Sequence, residues 1–476
     1  MTETFEFSVP VLVMGGGACG AVAALAAHEA GAEVLVIERD AHPMGTTGMS
    51  MGLICAAGTN AQARHGIDDD PGIFFNDIMA KARGQTDPVI ARAIADETAP
   101  ALDWLIETHG FPWDVELGLR PCYGNSRARV HGWTAHGGQD FLDLLHQRLA
   151  EAGVPVLTEA RVVDLFSDND GRVLGVEVER PDGAREKVGC ETLIVASGGF
   201  AANHEMVEHY IPAMAKARNN GHEGSQGDGI RLGERLGAAL GDMGAYQGYG
   251  MLTEPQGISV SPVIPVEGGM LVNAQGRRFV DETDDISGIA IPLLTQPGDH
   301  GWLIYDEAIE KRCADVPEMR MLIELNAARR ADTIASLAER IGVDQSVLAD
   351  TFAQAQAARE AGAPDAFGRD WRDVAVPSGA LRALKIVAAI YHTQGGLQID
   401  GEARVLRPDG SPLPNLFAGG GAARSVSGPA GWGYLPAIGL STAIALGRVA
   451  GRAAAGQVLG GEPTSGQLEQ FEAGAP

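Results

Sequence analysis

Apolar and polar positions follow one another in blocks along this chain, and the blocks predict its elements. Phe7–Met14 is mainly apolar, residues 21–30 are small and apolar, and residues 33–38 enclose the run Val34-Leu35-Val36-Ile37. Such runs, parted by a Gly-rich turn and a helix-length segment, read as strand, helix, strand. Residues 9–27 carry no charge and could span a bilayer by length, but Gly15-Gly16-Gly17 breaks them in the middle. A buried strand, a turn and a buried helix are therefore expected there. A β-meander is expected over 154–157, 161–166, 173–179 and 186–188, with a turn at Pro181-Asp182-Gly183, followed by a buried strand over 192–196. Residues 269–273 and 302–305 are strand-like, and 333–341 and Gln345–Ala361 are helical runs stopped by Gly342 and Gly362. A last strand at 415–418 and an apolar helix at 439–455 close the pattern.

The first turn carries candidate chemistry. Gly15-Gly16-Gly17-Ala18-Cys19-Gly20 is a GxGxxG between a strand and a helix, and an acid, Glu38, ends the next strand. Gly15 permits the tight turn, Gly17 lets a pyrophosphate approach, and Gly20 lets helix and strand pack closely. The N-terminus of the helix that follows offers N–H groups and a positive dipole end to phosphate, and Glu38 can accept from ribose hydroxyls. A small-residue segment, Thr46-Thr47-Gly48-Met49-Ser50-Met51-Gly52 with Ala56-Ala57-Gly58-Thr59, could wrap a pyrophosphate and a flavin edge. A second Gly-rich turn, Gly419-Gly420-Gly421, follows the last strand. Two dinucleotide-facing turns at opposite ends of the chain fit FAD stretched across one domain.

Composition narrows the partners. The 476 residues fit two domains, and the formal charge of −26 argues against nucleic acid and against an anionic membrane surface. Five scattered cysteines lack metal spacing, and no CxxCH or iron–sulfur set is present. His131 and His136 have no third partner at metal spacing, so no metal is assigned. The first residues lack a basic region, so a cytoplasmic protein with reduced thiols and no membrane span is expected.

Further motifs carry a resemblance. They are Val195-Ala196-Ser197-Gly198-Gly199-Phe200 with Asn203, Gly227-Asp228-Gly229, Arg278-Phe279 with Glu282, His392-Thr393-Gln394-Gly395-Gly396, and Gly433-Tyr434-Leu435-Pro436-Ala437-Ile438 leading into the last helix. Together with the N-terminal fingerprint, they resemble the fumarate reductase/succinate dehydrogenase flavoprotein family, which includes 3-ketosteroid dehydrogenases. The resemblance implies an α/β fold: a discontinuous, Rossmann-like FAD-binding domain at 1–240 and 390–476, with an α+β substrate cap at 241–389. It implies cofactor contacts at Val162, Ala196, Gly198, Asp228, Gly420 and Ile438, beside Gly15, Gly17, Ala18, Gly20, Glu38, Thr46, Thr47, Gly52, Gly58 and Thr59. Gly45-Thr46-Thr47 replaces the tripeptide that links FAD covalently in respiratory members, so non-covalent FAD is implied.

The implied active site departs from dicarboxylate reduction. Where the family's reductases have an Arg at the head of the last helix, this chain has Tyr434, and the position of their proton-donating Arg matches Ile286. Pro262 and Pro265 stand where an acid and a further Arg are expected, and His392 remains. In the ketosteroid branch a Tyr and a backbone N–H four residues on polarise a ketone, roles that fall on Tyr434 and Ile438. That branch's base also matches Ile286, which leaves His392, Tyr391 and Tyr123 as candidates. Arg127 or Arg129, in the loop of Tyr123, could hold a substrate carboxylate if that loop reaches the site. Trp432 and Tyr434 could form an aromatic wall. The expected reaction is FAD-dependent α,β-desaturation of a ketone, a 3-ketosteroid or an oxocyclohexanecarboxylate-type acid. The α-proton goes to a base and the β-hydride to flavin, with a diffusible acceptor, quinone or oxygen downstream. An enone or enoate reductase, and a non-catalytic flavin-binding redox sensor, are the alternatives.

Overall fold

In the computed structural model, which describes residues 4–118, 121, 123–285 and 287–460, Phe7–Met14 is a central strand paired in parallel on both sides. Arg120, Cys122 and Ile286 lie outside the described residues. Val34–Ile37 flanks the strand with Ile37 level with Met14, and Arg185–Val195 flanks it with Val195 level with Met14. Pro412–Ala418 continues the sheet in parallel, Ala418 beside Val195, and Arg404–Leu406 closes that edge antiparallel. The carboxyl ends Ala418, Val195, Met14 and Ile37 thus stand in one row. Ligands of parallel sheets bind outside such a row.

Two strand expectations change. Val156–Leu157 does not join a meander but pairs in parallel with Val34–Ile37. Segments 186–188 and 192–195 belong to one strand, Arg185–Val195, antiparallel to Val173–Glu179 over 185–189 and parallel to Phe7–Met14 over 188–195. The small residues Gly189 and Cys190 look like a break in sequence yet stay within the ladder, because Phe5 and Ser8 fill the space beside Gly189.

The chain's beginning and end meet through helices. Ala18–Glu29 packs on the last helix, Ile438–Val458, and a Cβ added at Gly451 would lie 2.2 Å from the Ala23 carbonyl oxygen. Side-chain-free contact at that position lets the two backbones touch, which brings the first Gly turn and the one after Ala418 to the same sheet edge.

Two compact units emerge. One comprises the described residues of Met1–Met206, Gly221–Tyr246 and His392–Pro476, the other Val207–Asn220 and Gln247–Tyr391. In the second, His300–Asp306 pairs antiparallel with Met270–Asn273 and with Leu381–Thr393. Helices Ile334–Ile341 and Gln345–Ala361 end at Gly342 and Gly362 in left-handed backbone, as the sequence predicts. Buried Glu282 there receives Arg278 and Arg369, and Arg369 stacks 3.8 Å from the Trp371 ring centroid. That motif is structural in this chain. Among the described residues no helix is long and apolar enough to cross a membrane, and Cys19, Cys55, Cys190 and Cys313 are buried and unbridged.

Candidate active site

The glycines of the first turn answer steric demands. Gly15 has φ +110°, and a Cβ there would lie 2.5 Å from the Ala196 oxygen; one at Gly20 would lie 1.8 Å from the Gly15 oxygen. At Gly17 there is room instead, since the nearest atom to a Cβ is Thr47 Oγ1 at 3.5 Å. The helix starts there without a side-chain cap from Gly17. A helix start approached this closely only by a hydroxyl suits a diphosphate. Across the row, Gly198 (φ +73°) lies beside the loop of Gly420 (φ +58°), for a Cβ at Gly421 would come 3.2 Å from the Gly198 carbonyl carbon. Ser197 Oγ, between Ala196 and Gly198, is buried with no hydrogen-bond partner among the described residues. This cradle fits FAD.

Several expected contacts are engaged otherwise. Glu38 takes the Gly16 N–H at 2.7 Å and the Asp40 N–H at 2.8 Å, one on each oxygen, which leaves lone pairs on both for ribose hydroxyls. The Ala18 N–H donates to Thr47 Oγ1 at 3.0 Å, so Thr47 holds the helix start, and Thr46 Oγ1 stands 3.4 Å from Ser225 Oγ. Gly52 (φ +70°) packs on the Gly137 backbone. Gly58 and Thr59 serve a helix cap: the Gly58 N–H donates to Gln62 Oε1 at 2.7 Å, and the Thr59 hydroxyl accepts from the Gln62 N–H at 3.0 Å and meets His131 Nε2 at 2.8 Å. Asp228 forms a two-point ion pair with Arg161 at 3.1 and 3.2 Å, beside buried Val162. The side chains of Thr59 and Asp228 therefore have structural partners that sequence spacing did not reveal.

Tyr434 sits on a braced turn. A 3-10 turn, Gly431–Gly433, precedes it, Ala437 follows at φ +66°, and the last helix begins at Ile438. The Ser441 hydroxyl accepts from the Cys55 N–H at 2.9 Å and donates to the Cys55 oxygen at 2.8 Å, while the Cys55 thiol donates to the Pro436 oxygen at 3.2 Å. The turn is thus fixed to the strand Ile54–Cys55. Burial above all, with the Cys55 sulfur second, pushes the Tyr434 phenol above its usual pKa, against a backbone hydrogen bond from Ala437. The phenol is therefore held in its protonated form. The Ile438 N–H, expected as a second donor, here donates to the Leu435 oxygen at 3.2 Å.

His392 faces Tyr434 edge to face, ring centroids 5.6 Å apart, and a Cβ on Gly439 would lie 3.2 Å from its Nε2. Gln394 Nε2 donates to His392 Nδ1 at 3.0 Å, and Ser427 Oγ donates to Gln394 Oε1 at 3.3 Å, an arrangement that orients the amide. Nδ1 also lies 3.5 Å from the Thr393 oxygen; with the shorter contact, from Gln394, accepted at Nδ1, the proton is placed on Nε2. Burial pushes the imidazole down to about 4. Burial thus keeps His392 neutral and makes it a weaker base than an ordinary imidazole, against its candidacy as the base.

Tyr391 belongs elsewhere. Consecutive residues of the strand Leu381–Thr393 point to opposite faces, so Tyr391 turns away from the face His392 uses. Its hydroxyl bonds to Ser259 Oγ, its ring stacks 5.4 Å from Tyr249, and burial pushes its phenol up to about 12. Tyr123 does accompany the turn: it has φ +53°, and a Cβ on the next residue, Gly124, would lie 2.9 Å from Leu435 Cδ2. The arginines of that loop serve other partners. Arg129 is fully buried against Asp69, at 3.0 and 3.1 Å, and Asp77, at 2.7 Å, and exposed Arg127 donates to the Asp68 oxygen.

Three non-glycine residues in left-handed backbone, Arg83, Tyr123 and Ala437, adjoin or form the 427–437 loop and turn. Each costs about 1–3 kcal/mol, and such strain gathers at functional sites. Sequence reasoning missed Gln394, Ser441 and Arg83. Gln394 alone had a signal, as a member of the His392 motif.

The comparisons bear on this cradle and turn together. The FAD binding domain family matches residues 10–439. A probable fumarate reductase of Shewanella frigidimarina (strain NCIMB 400) is 29% identical over 453 residues, 94% of this chain and 75% of that protein. The open conformation of a flavocytochrome c3 fumarate reductase superposes with a TM-score of 0.82 at 28% identity, over 96% of this chain and 79% of that one. A 3-ketosteroid-Δ4-(5α)-dehydrogenase from Rhodococcus jostii RHA1, solved with 4-androstene-3,17-dione, gives 0.78 at 25% identity, over 96% and 98%. The match spans both glycine turns and the phenol between them and the last helix, and by it this chain belongs to the FAD binding domain family, as an FAD-dependent oxidoreductase acting on CH–CH groups.

Proposed function

We propose that this protein desaturates a ketone between its α and β carbons. The observation that carries the reading is the buried, protonated Tyr434 phenol beside the neutral His392 imidazole, where a reductase of dicarboxylates needs a cation. Two neutral donors suit a carbonyl oxygen that becomes an enolate, and they leave a carboxylate's charge uncompensated. FAD, when bound, supplies the two-electron acceptor for the β-hydride. Tyr434 donates to the ketone oxygen and His392 Nε2–H is the second donor, which takes over the role expected of the Ile438 N–H. Enolate stabilisation acidifies the α-carbon, and Tyr123, whose loop packs on Leu435, is the candidate to take that proton. Electrons then leave to a diffusible acceptor, a quinone or oxygen. Non-covalent FAD agrees with Gly45-Thr46-Thr47.

Anaerobic mixing of the yellow protein with saturated cyclic ketones, and separately with succinate, tests the reaction. Bleaching by a ketone and not by succinate is expected; bleaching by succinate alone would refute the reading. The reverse reaction, reduction of an activated C=C bond, is favoured by one observation, the fumarate reductase names of the relatives. Reoxidation of dithionite-reduced flavin by an enone, with no bleaching by any ketone, would establish that direction instead.

His392 carries a pH prediction. Burial lowers its pKa to about 4 from 6.5, so as pH falls the unfolded chain takes the proton first. The stability contributed by this neutral group is complete above pH 6.5 and is lost as pH falls toward 4. His392→Gln accordingly shows a shallower fall of Tm than wild type across that window. The pH–rate profile of wild type is expected to lack an inflection near 6.5; one there that vanishes in His392→Gln would restore His392 as the base.

A further inference from the structure

Helix Pro71–Lys81 ends in a Schellman arrangement: the Arg83 N–H donates to the Ala80 oxygen at 3.0 Å, and the Gly84 N–H to the Met79 oxygen at 2.8 Å. The residue in Arg83's place takes left-handed backbone, and glycine is usual there because a Cβ is disfavoured. Arg83 has φ +53°, with a true glycine, Gly84, only one residue later. A long cationic side chain stands where the backbone resists it, and an observed strain of this kind points to function.

The surroundings of the side chain indicate which function. Its guanidinium lies 4.4 Å from the centroid of the Trp432 ring, two residues before Tyr434. Stacking fixes the guanidinium plane and leaves its edge of N–H donors available. Arg83 is exposed, and no carboxylate or carbonyl among the described residues pairs with it. By contrast Arg424, lower in the same loop, is held by Asp87 at 2.9 Å and Asp242 at 2.8 Å. The support is local, for a Cβ on Gly428 would meet Ala82 Cβ at 3.6 Å, so the 82–85 segment packs on the loop that bears Trp432. A chain of formal charge −26 repels anions at long range, which makes one unpaired, preoriented cation beside the reactive turn selective for them.

We propose that Arg83, stacked on Trp432, anchors a substrate carboxylate, so that the substrate is an oxo acid with its carboxylate several bonds from the ketone. The inference rests on the reading of Tyr434 as the ketone donor. Arg83 grips the planar carboxylate at two points, and the Trp432 ring offers an apolar face to the carbon frame. A neutral 3-ketosteroid has no group for this anchor.

The test compares 4-oxocyclohexanecarboxylate with its methyl ester in the FAD-loaded wild type, Arg83→Gly and Arg83→Lys. Wild type is expected to prefer the acid in kcat/KM by about 10–100-fold, the range for hydrogen bonds to a charged group. Arg83→Gly relieves the left-handed strain, so it should melt no lower than wild type while its acid-to-ester ratio collapses, and Arg83→Lys should retain part of the preference. An unchanged ratio in Arg83→Gly, or no acid preference in wild type, overturns the proposal. If neither compound turns over, the ketone reading has failed, and calorimetric binding of cyclohexanecarboxylate still decides the anchor. Binding that weakens at least tenfold in Arg83→Gly supports it; equal affinity in both proteins, or none in wild type, refutes it.

Discussion

Tyr434→Phe lowers kcat for ketone desaturation by about 10²–10³ while FAD stays bound, the loss expected when one donor to a developing oxyanion is removed. The variant keeps the ring, its edge-to-face contact with His392 and the Ser441 and Cys55 bonds that fix the turn, and it loses the hydroxyl with the hydrogen bond that it accepts from Ala437. Because that hydroxyl strengthens its bond as charge builds on the ketone oxygen, kcat and kcat/KM fall together and KM moves little. Stopped-flow bleaching of the flavin isolates the chemical step from later electron transfer. A bleaching rate within threefold of wild type would remove Tyr434 from the oxyanion role and return it to the packing of its turn.

Gly20→Ala is expected to yield a colourless, destabilised protein. The added Cβ would stand 1.8 Å from the Gly15 oxygen, and Gly15 is itself pressed against Ala196, so neither backbone has room to yield. Overpacking of this kind costs about 1–3 kcal/mol and more where the neighbour is backbone. Relief requires the helix Ala18–Glu29 to move off the strand, which widens the space before Gly17 and shifts the last helix resting on Ala23. Flavin absorbance per protein after gel filtration, with Tm, reads the outcome. Full flavin content at wild-type Tm would mean that the close helix–strand approach does not hold the cofactor.

The parts legible in the sequence were those written locally. The first strand, turn and helix follow from apolar runs and from glycines at fixed offsets, and Gln345–Ala361 follows from its pattern and its closing Gly362. Long-range pairing was less visible. Nothing near Val156 announces its parallel partner Val36, more than a hundred residues away. The functional sense of polar residues depended on such contacts too. Arg129 looks available in sequence, yet Asp69 and Asp77 enclose it; Thr59 caps a helix, and Asp228 pairs with Arg161. The burial of His392, and its contact with Gln394, which Ser427 holds, cannot be read from spacing either. Arg83 left no trace at all, since left-handed backbone at a non-glycine residue is invisible to pattern and propensity.

Polarisation of a ketone by the neutral phenol at the head of the last helix is open to direct measurement. An enone product labelled with carbon-13 at its carbonyl, bound to the FAD-loaded protein, gives an isotope-edited infrared difference spectrum of the C=O stretch. A stretch below the value in water is expected for wild type, returning toward the water value in Tyr434→Phe. A bound carbonyl that absorbs at or above its water frequency in wild type would contradict it.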